Sequence, residues 1–237
     1  IDQGEGLGKW KPENYSQKFY GPSTLRLGIE KSRNLMTVRI AQYLGMDTIS
    51  GYAKLFNIHP NLPLMPSMAL GAGETTVLRL TTAYAMLVNG GRYIEPAFVE
   101  RIQDRHGQTV YTRDGRDCGG CADLRWEKQA PLLLPDMREQ VADPLSAYQT
   151  VSMLEGVVLR GTGRSIKGLG KPIGGKTGTT NQFRDAWFVG FSPDLAVGVY
   201  IGFDQPKTLG RRESGGKVAA PIFREFMRHA LANTPAV

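Results

Sequence analysis

Apolar residues recur at helical spacing through most of the first ninety positions. Thr24 to Glu30 and Leu35 to Leu44 each predict a helix, and Ser23 is a suitable N-cap for the first of them. Asp47 to Phe56 predicts a third short helix. Glu74 to Val88 predicts a longer one, whose apolar residues cover more than one stripe. That pattern indicates a helix buried in a core.

The middle of the chain changes to runs that are typical of strands. Tyr93 to Gln103 and Gln108 to Arg113 predict a β-hairpin joined by a polar turn. Residues 114–142 follow no period, and we expect a surface excursion there. This segment contains Cys118 and Cys121, the only two cysteines. No second ligand pair accompanies them, so we expect a local loop clip or two free thiols rather than a zinc or redox site.

The last third combines helices with a second hairpin. Asp143 to Leu159 predicts a helix with proline in its first turn, and Ala219 to Leu231 predicts the final helix. Between them, Phe183 to Gly190 and Leu195 to Phe203 predict two strands joined by a Pro-Asp turn. The order of elements indicates an α+β fold, in which an antiparallel sheet is packed with helices beside a helical subdomain.

Composition narrows the function classes. The 237 residues are 41% hydrophobic and carry a net charge of +7, which scattered basic residues produce. Because no basic cluster is interleaved with aromatic residues, we expect no nucleic-acid partner. We find no apolar run long enough to span a membrane and no signal segment. The chain opens with Ile1, and we expect it to be a piece of a longer protein.

A lysine stands among glycines and threonines in Gly174-Gly-Lys-Thr-Gly-Thr-Thr180, just before the second hairpin. Gly170 to Thr177 fits the phosphate-loop pattern G-x-x-x-x-G-K-[ST] letter for letter. A phosphate loop needs a strand before it and a helix after it, and neither is predicted. Pro172 also lacks an amide that such a loop would use. A nucleotide-binding protein therefore stays only as an alternative.

Lys-Thr-Gly is also an element of penicillin-recognising serine enzymes, where it accompanies Ser-x-Asn and Ser-x-x-Lys. Ser32-Arg33-Asn34 supplies a Ser-x-Asn between two predicted helices. With Lys176-Thr-Gly-Thr179 in the same chain, the sequence resembles the transpeptidase domain of penicillin-binding proteins. The flanking segments are similar to the class A members (the penicillin-binding protein 1a type): Trp10-Lys-Pro-Glu-Asn-Tyr15, Ala69-Leu-Gly-Ala-Gly-Glu-Thr75, Thr82-Ala-Tyr84, Asn89-Gly-Gly91 and Asp185-Ala-Trp-Phe-Val-Gly190.

The resemblance implies a D,D-transpeptidase, which cross-links peptidoglycan by acyl transfer from D-Ala-D-Ala stem peptides and is acylated by β-lactams. It implies that Ser32 relays a proton, that Asn34 holds a substrate amide and that Lys176 supplies positive charge toward the substrate carboxylate. Ser32 suits a relay because a hydroxyl both donates and accepts. Arg33 takes the variable middle position, and we expect its side chain to face away.

Three further positions would bind substrate by the same resemblance. Thr177 and Thr179 offer hydroxyls to the carboxylate, and the Thr179 amide is expected to be one oxyanion donor. Gly178 lets a substrate backbone approach. The resemblance calls for no metal and no organic cofactor. It divides the C-terminal part of one domain into a mostly helical subdomain (1–91), a hairpin with a surface excursion (92–142) and a part holding the lysine strand, hairpin and final helix (143–237).

The nucleophile is where the chain departs from the family pattern. In the family, Ser-x-x-Lys precedes Ser-x-Asn, but Ser16 and Ser23 are followed three residues later by Phe19 and Arg26. We therefore expect the nucleophile on an upstream segment outside these 237 residues, together with a glycosyltransferase domain and a membrane anchor. The chain alone is expected to be inactive, and the parent protein to lie on the outer, periplasmic face of the cytoplasmic membrane.

Two further alternatives stay open. A serine β-lactamase or D,D-carboxypeptidase would share the same motifs, although we see no glutamate-containing deacylation motif. A non-catalytic scaffold would show no acylation even with the upstream segment restored.

Overall fold

The computed structural model describes residues 1, 8–116, 125 and 134–235, so Cys118 and Cys121 lie outside the described residues. Within that part of the chain we find six α-helices and five β-strands. In order they are α1 (Leu25–Glu30), α2 (Asn34–Leu44), α3 (Met46–Leu55), α4 (Val77–Val88), β1 (Arg101–Gln103), β2 (Thr109–Thr112), α5 (Pro144–Leu159), β3 (Gly174–Thr179), β4 (Ala186–Phe191), β5 (Ala196–Ile201) and α6 (Gly215–Ala230).

The predicted hairpin is present as β4 and β5, and the lysine motif forms β3 beside it. The three strands form one sheet in the order β3-β4-β5, with both neighbouring pairs antiparallel. Lys176 lies opposite Val189 in the register of β3 and β4. Val189 in turn lies opposite Gly198 of β5. The α+β prediction is thereby confirmed, and the lysine motif is a strand of the sheet.

Helices cover both faces of this sheet. The Phe188 ring is fully buried and packs against Phe223 of α6, with the ring centroids 4.8 Å apart. Phe191 points to the opposite face, since side chains three positions apart on a strand lie on opposite sides. There it packs with Leu154 of α5 and Tyr84 of α4. The site-bearing strand β3 is therefore fixed by a core on either side.

The first helix is capped one residue later than predicted. The Thr24 hydroxyl accepts the Leu27 amide at 3.2 Å, whereas the Ser23 hydroxyl donates to the Gly21 carbonyl. The Ser23 cap prediction is wrong because a cap must accept an amide hydrogen of the first turn.

Two predicted strands begin several residues later than expected. The strand prediction for Tyr93 to Gln103 holds only over β1, since Pro96 cannot donate to a ladder. Ahead of β4, Gln182 and Phe183 have φ angles of 62° and 54° in a 3-10 turn, so the strand cannot begin at Phe183.

The last helix begins at Gly215, four residues earlier than predicted. The Gly215 amide donates to the Thr179 hydroxyl at 3.0 Å, and a Cβ at this position would overlap the carbonyl oxygens of Trp187 and Gly178. Sequence patterns penalise glycine in a helix. Here the close contact between α6 and β3 outweighs that propensity.

The chain forms two compact units, Ile1–Ile94 with Gln140–Val237 and, separately, Glu95–Glu139. In the second unit, β1 and β2 form an exposed antiparallel hairpin. The Asp104 carboxylate closes its turn by accepting the amides of His106 and Gln108. None of the helices described is both long and apolar enough to span a bilayer.

Candidate active site

The two motifs singled out in the sequence meet in the first unit. The Lys176 ammonium on β3 donates a hydrogen bond to the Ser32 hydroxyl at 2.7 Å, although 144 positions separate the residues. The same ammonium also donates to the Thr177 carbonyl at 3.0 Å. Of the six predicted site residues, these two are brought into direct side-chain contact.

Ser32 follows α1 in a tight turn that aims its side chain. Its φ angle is +52°, in the left-handed region that non-glycine residues seldom adopt. The Ser32 amide donates to the Ile29 carbonyl at 3.1 Å, and the Arg33 amide donates to the Gly28 carbonyl at 2.9 Å. Such bonds use the open carbonyls at a helix C-terminus. The turn thus closes α1 and presents Ser32 before α2 starts.

The pKa of Lys176 is lower than that of an ordinary lysine. Burial lowers the pKa of Lys176 from its ordinary 10.5 to about 8, because desolvation disfavours the charged ammonium. Neutral and protonated forms therefore coexist near neutral to mildly basic pH. A group poised in this way can pass a proton to or from a neighbouring hydroxyl.

Asn34 opens α2 and is held by the N-terminal segment. Its side-chain amide donates to the Glu13 carbonyl at 2.9 Å. Next to it, the buried Asn14 side chain accepts the Leu35 amide at 3.2 Å and donates to the Lys18 carbonyl. Asn34 has no hydrogen bond to Ser32 or Lys176 among the described contacts. Sequence reasoning missed Asn14, whose only signal was its place in the Trp10–Tyr15 segment.

The remaining residues of β3 are held by hydroxyl contacts. The Thr177 hydroxyl lies 2.7 Å from that of Thr162, and the Thr179 hydroxyl oxygen accepts the Gly215 amide. Both threonine oxygens expected to bind a carboxylate therefore already have protein partners. The Thr179 hydroxyl hydrogen is still free to be donated, since a hydroxyl donates and accepts at once. Gly178 lies opposite Trp187 in the strand register.

Arg33 makes its contact with the N-terminal segment. Its guanidinium lies over the Tyr20 ring, 3.1 Å from the ring centroid. Both side chains line an open cavity of about 480 Å³. Arg33 is thus engaged in a cation–π contact rather than with Lys176.

Sequence reasoning also missed the one Ser-x-x-Lys tetrad that these 237 residues contain, Ser214-Gly-Gly-Lys217, which lies downstream of Lys176. Ser214 is the N-cap residue of α6, and its side chain makes no capping hydrogen bond. Lys217 is exposed on the first turn of that helix. Ser214 is therefore a second serine to test as the nucleophile. It directly precedes Gly215, whose amide donates to the Thr179 hydroxyl.

The phosphate-loop alternative does not fit the backbone. Gly174 begins β3 in the middle of the Gly170–Thr177 pattern, and the residues after Thr177 continue that strand. The helix N-terminus that would hold phosphates is absent at this point of the described chain.

Comparison with known proteins gives one consistent family. The family model described as "Penicillin binding protein transpeptidase domain" matches residues 2–228. The chain is 48% identical over 237 residues to Penicillin-binding protein 1A of Rickettsia bellii, covering 99% of this chain and 30% of that protein. The chain thus spans about a third of the length of the curated relatives it matches.

Solved structures agree in fold. The crystal structure of Penicillin-Binding Protein 1A from Haemophilus influenzae superposes with a TM-score of 0.84 at 30% identity, covering all of this chain and 38% of that one. The PonA1 protein from Mycobacterium tuberculosis, solved in complex with penicillin V, gives a TM-score of 0.76 at 22% identity, covering 95% of this chain and 61% of that one.

Proposed function

Because the chain belongs to the penicillin-binding protein transpeptidase domain family, we propose that it forms part of a peptidoglycan D,D-transpeptidase and carries the relay half of the active site. The observation that carries the proposal is the 2.7 Å hydrogen bond from the Lys176 ammonium to the Ser32 hydroxyl. It brings the Ser-x-Asn and Lys-Thr-Gly motifs into contact, which supports a shared role in catalysis.

The proposed reaction is acyl transfer through a serine ester. A serine of a Ser-x-x-Lys motif outside these residues attacks the penultimate D-Ala carbonyl of a stem peptide. The C–N bond then breaks, and Ser32 relays the proton that the attacking serine gives up to the departing D-Ala nitrogen. An amine of a neighbouring peptide afterwards displaces the serine and forms the cross-link, and a proton of that amine returns to the serine oxygen. The covalent intermediate divides one difficult substitution into two easier ones.

The residues of β3 would supply protons and stabilise the negative charges of the substrate and of the transition state. Lys176 replenishes the Ser32 proton, and its lowered pKa suits that exchange. When protonated, it also attracts the terminal carboxylate of the substrate. The Thr179 amide is the proposed oxyanion donor of this chain, and loss of one such donor typically costs about 2.7–4 kcal/mol of transition-state stabilisation. Asn34 would hold a substrate amide. Thr177 and Thr179 would offer hydroxyls to the substrate carboxylate, and Gly178 would let the substrate backbone approach β3.

Partners and location follow from this proposal. In this proposal peptidoglycan stem peptides are the substrates, and β-lactams acylate the same serine as the stem peptides do. An upstream segment with the nucleophile, a glycosyltransferase domain and a membrane anchor would complete the protein. Its substrate places the reaction on the periplasmic side of the cytoplasmic membrane.

Intact-mass measurement after incubation with a penicillin tests the proposal. We expect no adduct on the 237-residue chain and one adduct on a longer protein that carries Ser-x-x-Lys upstream. In that longer protein, Ser32→Ala should slow acylation about 10²- to 10⁴-fold, the usual contribution of a positioned acid–base group.

Ser214→Ala is the matched control, since Ser214 belongs to the downstream tetrad. We expect it to leave the adduct unchanged. An adduct on the 237-residue chain that this substitution abolishes would move the nucleophile to Ser214. No adduct on either protein would refute the transpeptidase assignment and favour a scaffold.

A further inference from the structure

Glu30, the last residue of α1, is one of the few buried charged residues of the described chain. Its side chain is 5% exposed, yet it carries a carboxylate. The Arg160 guanidinium at the end of α5 donates to both carboxylate oxygens, at 2.5 and 3.3 Å. A paired geometry of this kind gives direction as well as energy. Glu30 therefore has a defined partner 130 positions away.

Two glycines leave space for Glu30 on α5 and just after it. A Cβ at Gly156 would overlap the Glu30 carboxylate, and a Cβ at Gly161 would overlap the Glu30 carbonyl. That carbonyl accepts the Thr162 amide at 3.1 Å. Both the side chain and the backbone of Glu30 are thus held by the segment that ends α5.

The segment that holds Glu30, residues 160–162, lies beside both the Ser32 turn and the β3 strand. Lys31 follows Glu30 directly, and its ammonium donates to the Arg160 carbonyl at 2.6 Å. Ser32 comes next in the chain. From the same segment, the Thr162 hydroxyl lies 2.7 Å from the Thr177 hydroxyl. Residues 160–162 therefore contact the Ser32 turn and the β3 strand together.

We propose that Glu30, held by Arg160, is a positioning residue that fixes Ser32 at hydrogen-bond distance from Lys176. The inference rests on the proposed function, because Ser32 matters only if it relays a proton. Glu30 touches neither substrate nor Lys176 in this role. It acts by holding the end of α1 against α5, so that the left-handed turn at Ser32 delivers its hydroxyl to β3.

The physical need for such an anchor lies in the turn itself. Ser32 adopts a positive φ, a conformation that persists only where surrounding contacts hold it. The two backbone bonds of the turn reach only α1, whereas the Glu30 and Lys31 contacts reach α5. Without the Glu30 carboxylate, the end of α1 is held less firmly against α5, and the Ser32 hydroxyl no longer stays at hydrogen-bond distance from Lys176.

The test uses the longer protein that carries the upstream Ser-x-x-Lys motif. Glu30→Gln keeps the shape of the side chain and removes its charge. A fluorescent penicillin, followed over a range of concentrations, separates the binding constant from the acylation rate constant. We expect the rate constant to fall about 10²-fold, the size of loss that a misplaced catalytic group produces, with binding unchanged.

Coupling to Ser32 separates positioning from general stability. If Glu30 acts through Ser32, the double variant Glu30→Gln/Ser32→Ala acylates no more slowly than Ser32→Ala alone. Independent contributions would instead multiply. Glu225→Gln is the control, since Glu225 forms an exposed ion pair with Arg228 on α6. It should acylate like the wild type. If Glu30→Gln does not fold, Arg160→Lys tests the same coupling while keeping the positive charge.

The outcomes are distinguishable. If the wild-type protein forms no adduct, the proposed function fails and the positioning role fails with it. If the wild type is acylated and Glu30→Gln reacts at the wild-type rate, only the positioning role is overturned. A double variant in which the two losses multiply also overturns it, because Glu30 would then act without Ser32.

Discussion

Lys176→Met tests whether the lysine on β3 is held in a desolvated site at a cost in stability. The substitution keeps an unbranched side chain and removes the ammonium. It also removes the hydrogen bonds to the Ser32 hydroxyl and the Thr177 carbonyl. Both bonds are donated by the ammonium, so they favour the charged form and oppose the cost of burying it. The pKa of Lys176 reports the net of these effects, and that net effect is the part of the stability difference that varies with pH.

The size of the charge term follows from the pKa. Burial lowers the pKa of Lys176 from 10.5 to about 8. That difference corresponds to about 3.4 kcal/mol, at about 1.36 kcal/mol for each pKa unit. Below pH 8 the lysine is charged in both folded and unfolded chains, so the wild type bears the full penalty. Between pH 8 and 10.5 the folded chain binds fewer protons, and wild-type stability rises relative to Lys176→Met.

Urea unfolding of the wild type and the variant, at several pH values from about 7 to 10.5, measures this difference. We expect the wild type to gain up to about 3.4 kcal/mol on the variant across that range. Lys54→Met is the matched control, because Lys54 is exposed on α3. It should give a stability difference that does not change over the same range. A constant difference for Lys176→Met would refute the lowered pKa and the proton exchange built on it.

Two further substitutions test the packing and the helix ends. Phe188→Ala should lower the free energy of unfolding by about 3–5 kcal/mol, because it empties a fully buried site against Phe223. Phe226→Ala is the control and should lower it far less, because Phe226 is on the exposed side of α6. Equal losses would contradict this assignment of the core. Thr76→Ala should cost about 1 kcal/mol, because the Thr76 hydroxyl caps α4 by accepting the Arg79 amide. Urea denaturation measures both, and an unchanged midpoint for Thr76→Ala would argue against the cap.

The sequence predicted those parts of the fold that local chemistry determines. The helix α5 begins at Pro144, where proline fits the first turn, and the strands β4 and β5 follow from two apolar runs around a Pro-Asp turn. The meeting of Ser32 and Lys176 came from the family resemblance, and the 2.7 Å contact agrees with it. The catalytic roles of these residues stay predictions.

Contacts between distant segments could not be predicted in this way. Nothing local to Glu30 indicates Arg160, since their pairing depends on how α1 docks against α5. The early start of α6 at Gly215 likewise depends on the approach of that helix to β3, which overrides the low helix propensity of glycine. The tetrad Ser214-Gly-Gly-Lys217 is visible in the sequence, so the expectation that no serine of these residues has a lysine three positions later was wrong.

The close approach of α6 to β3 and of β4 to β3 also limits which substitutions the sheet can accept. A methyl group at Gly215 would collide with the Trp187 and Gly178 carbonyls, and one at Gly175 would lie 2.7 Å from the Val189 carbonyl. Backbone atoms cannot yield as a flexible side chain can, so both positions are closed to ordinary point mutation. We expect sequence variation in this region to fall on exposed positions such as Lys217 and to leave these glycines unchanged.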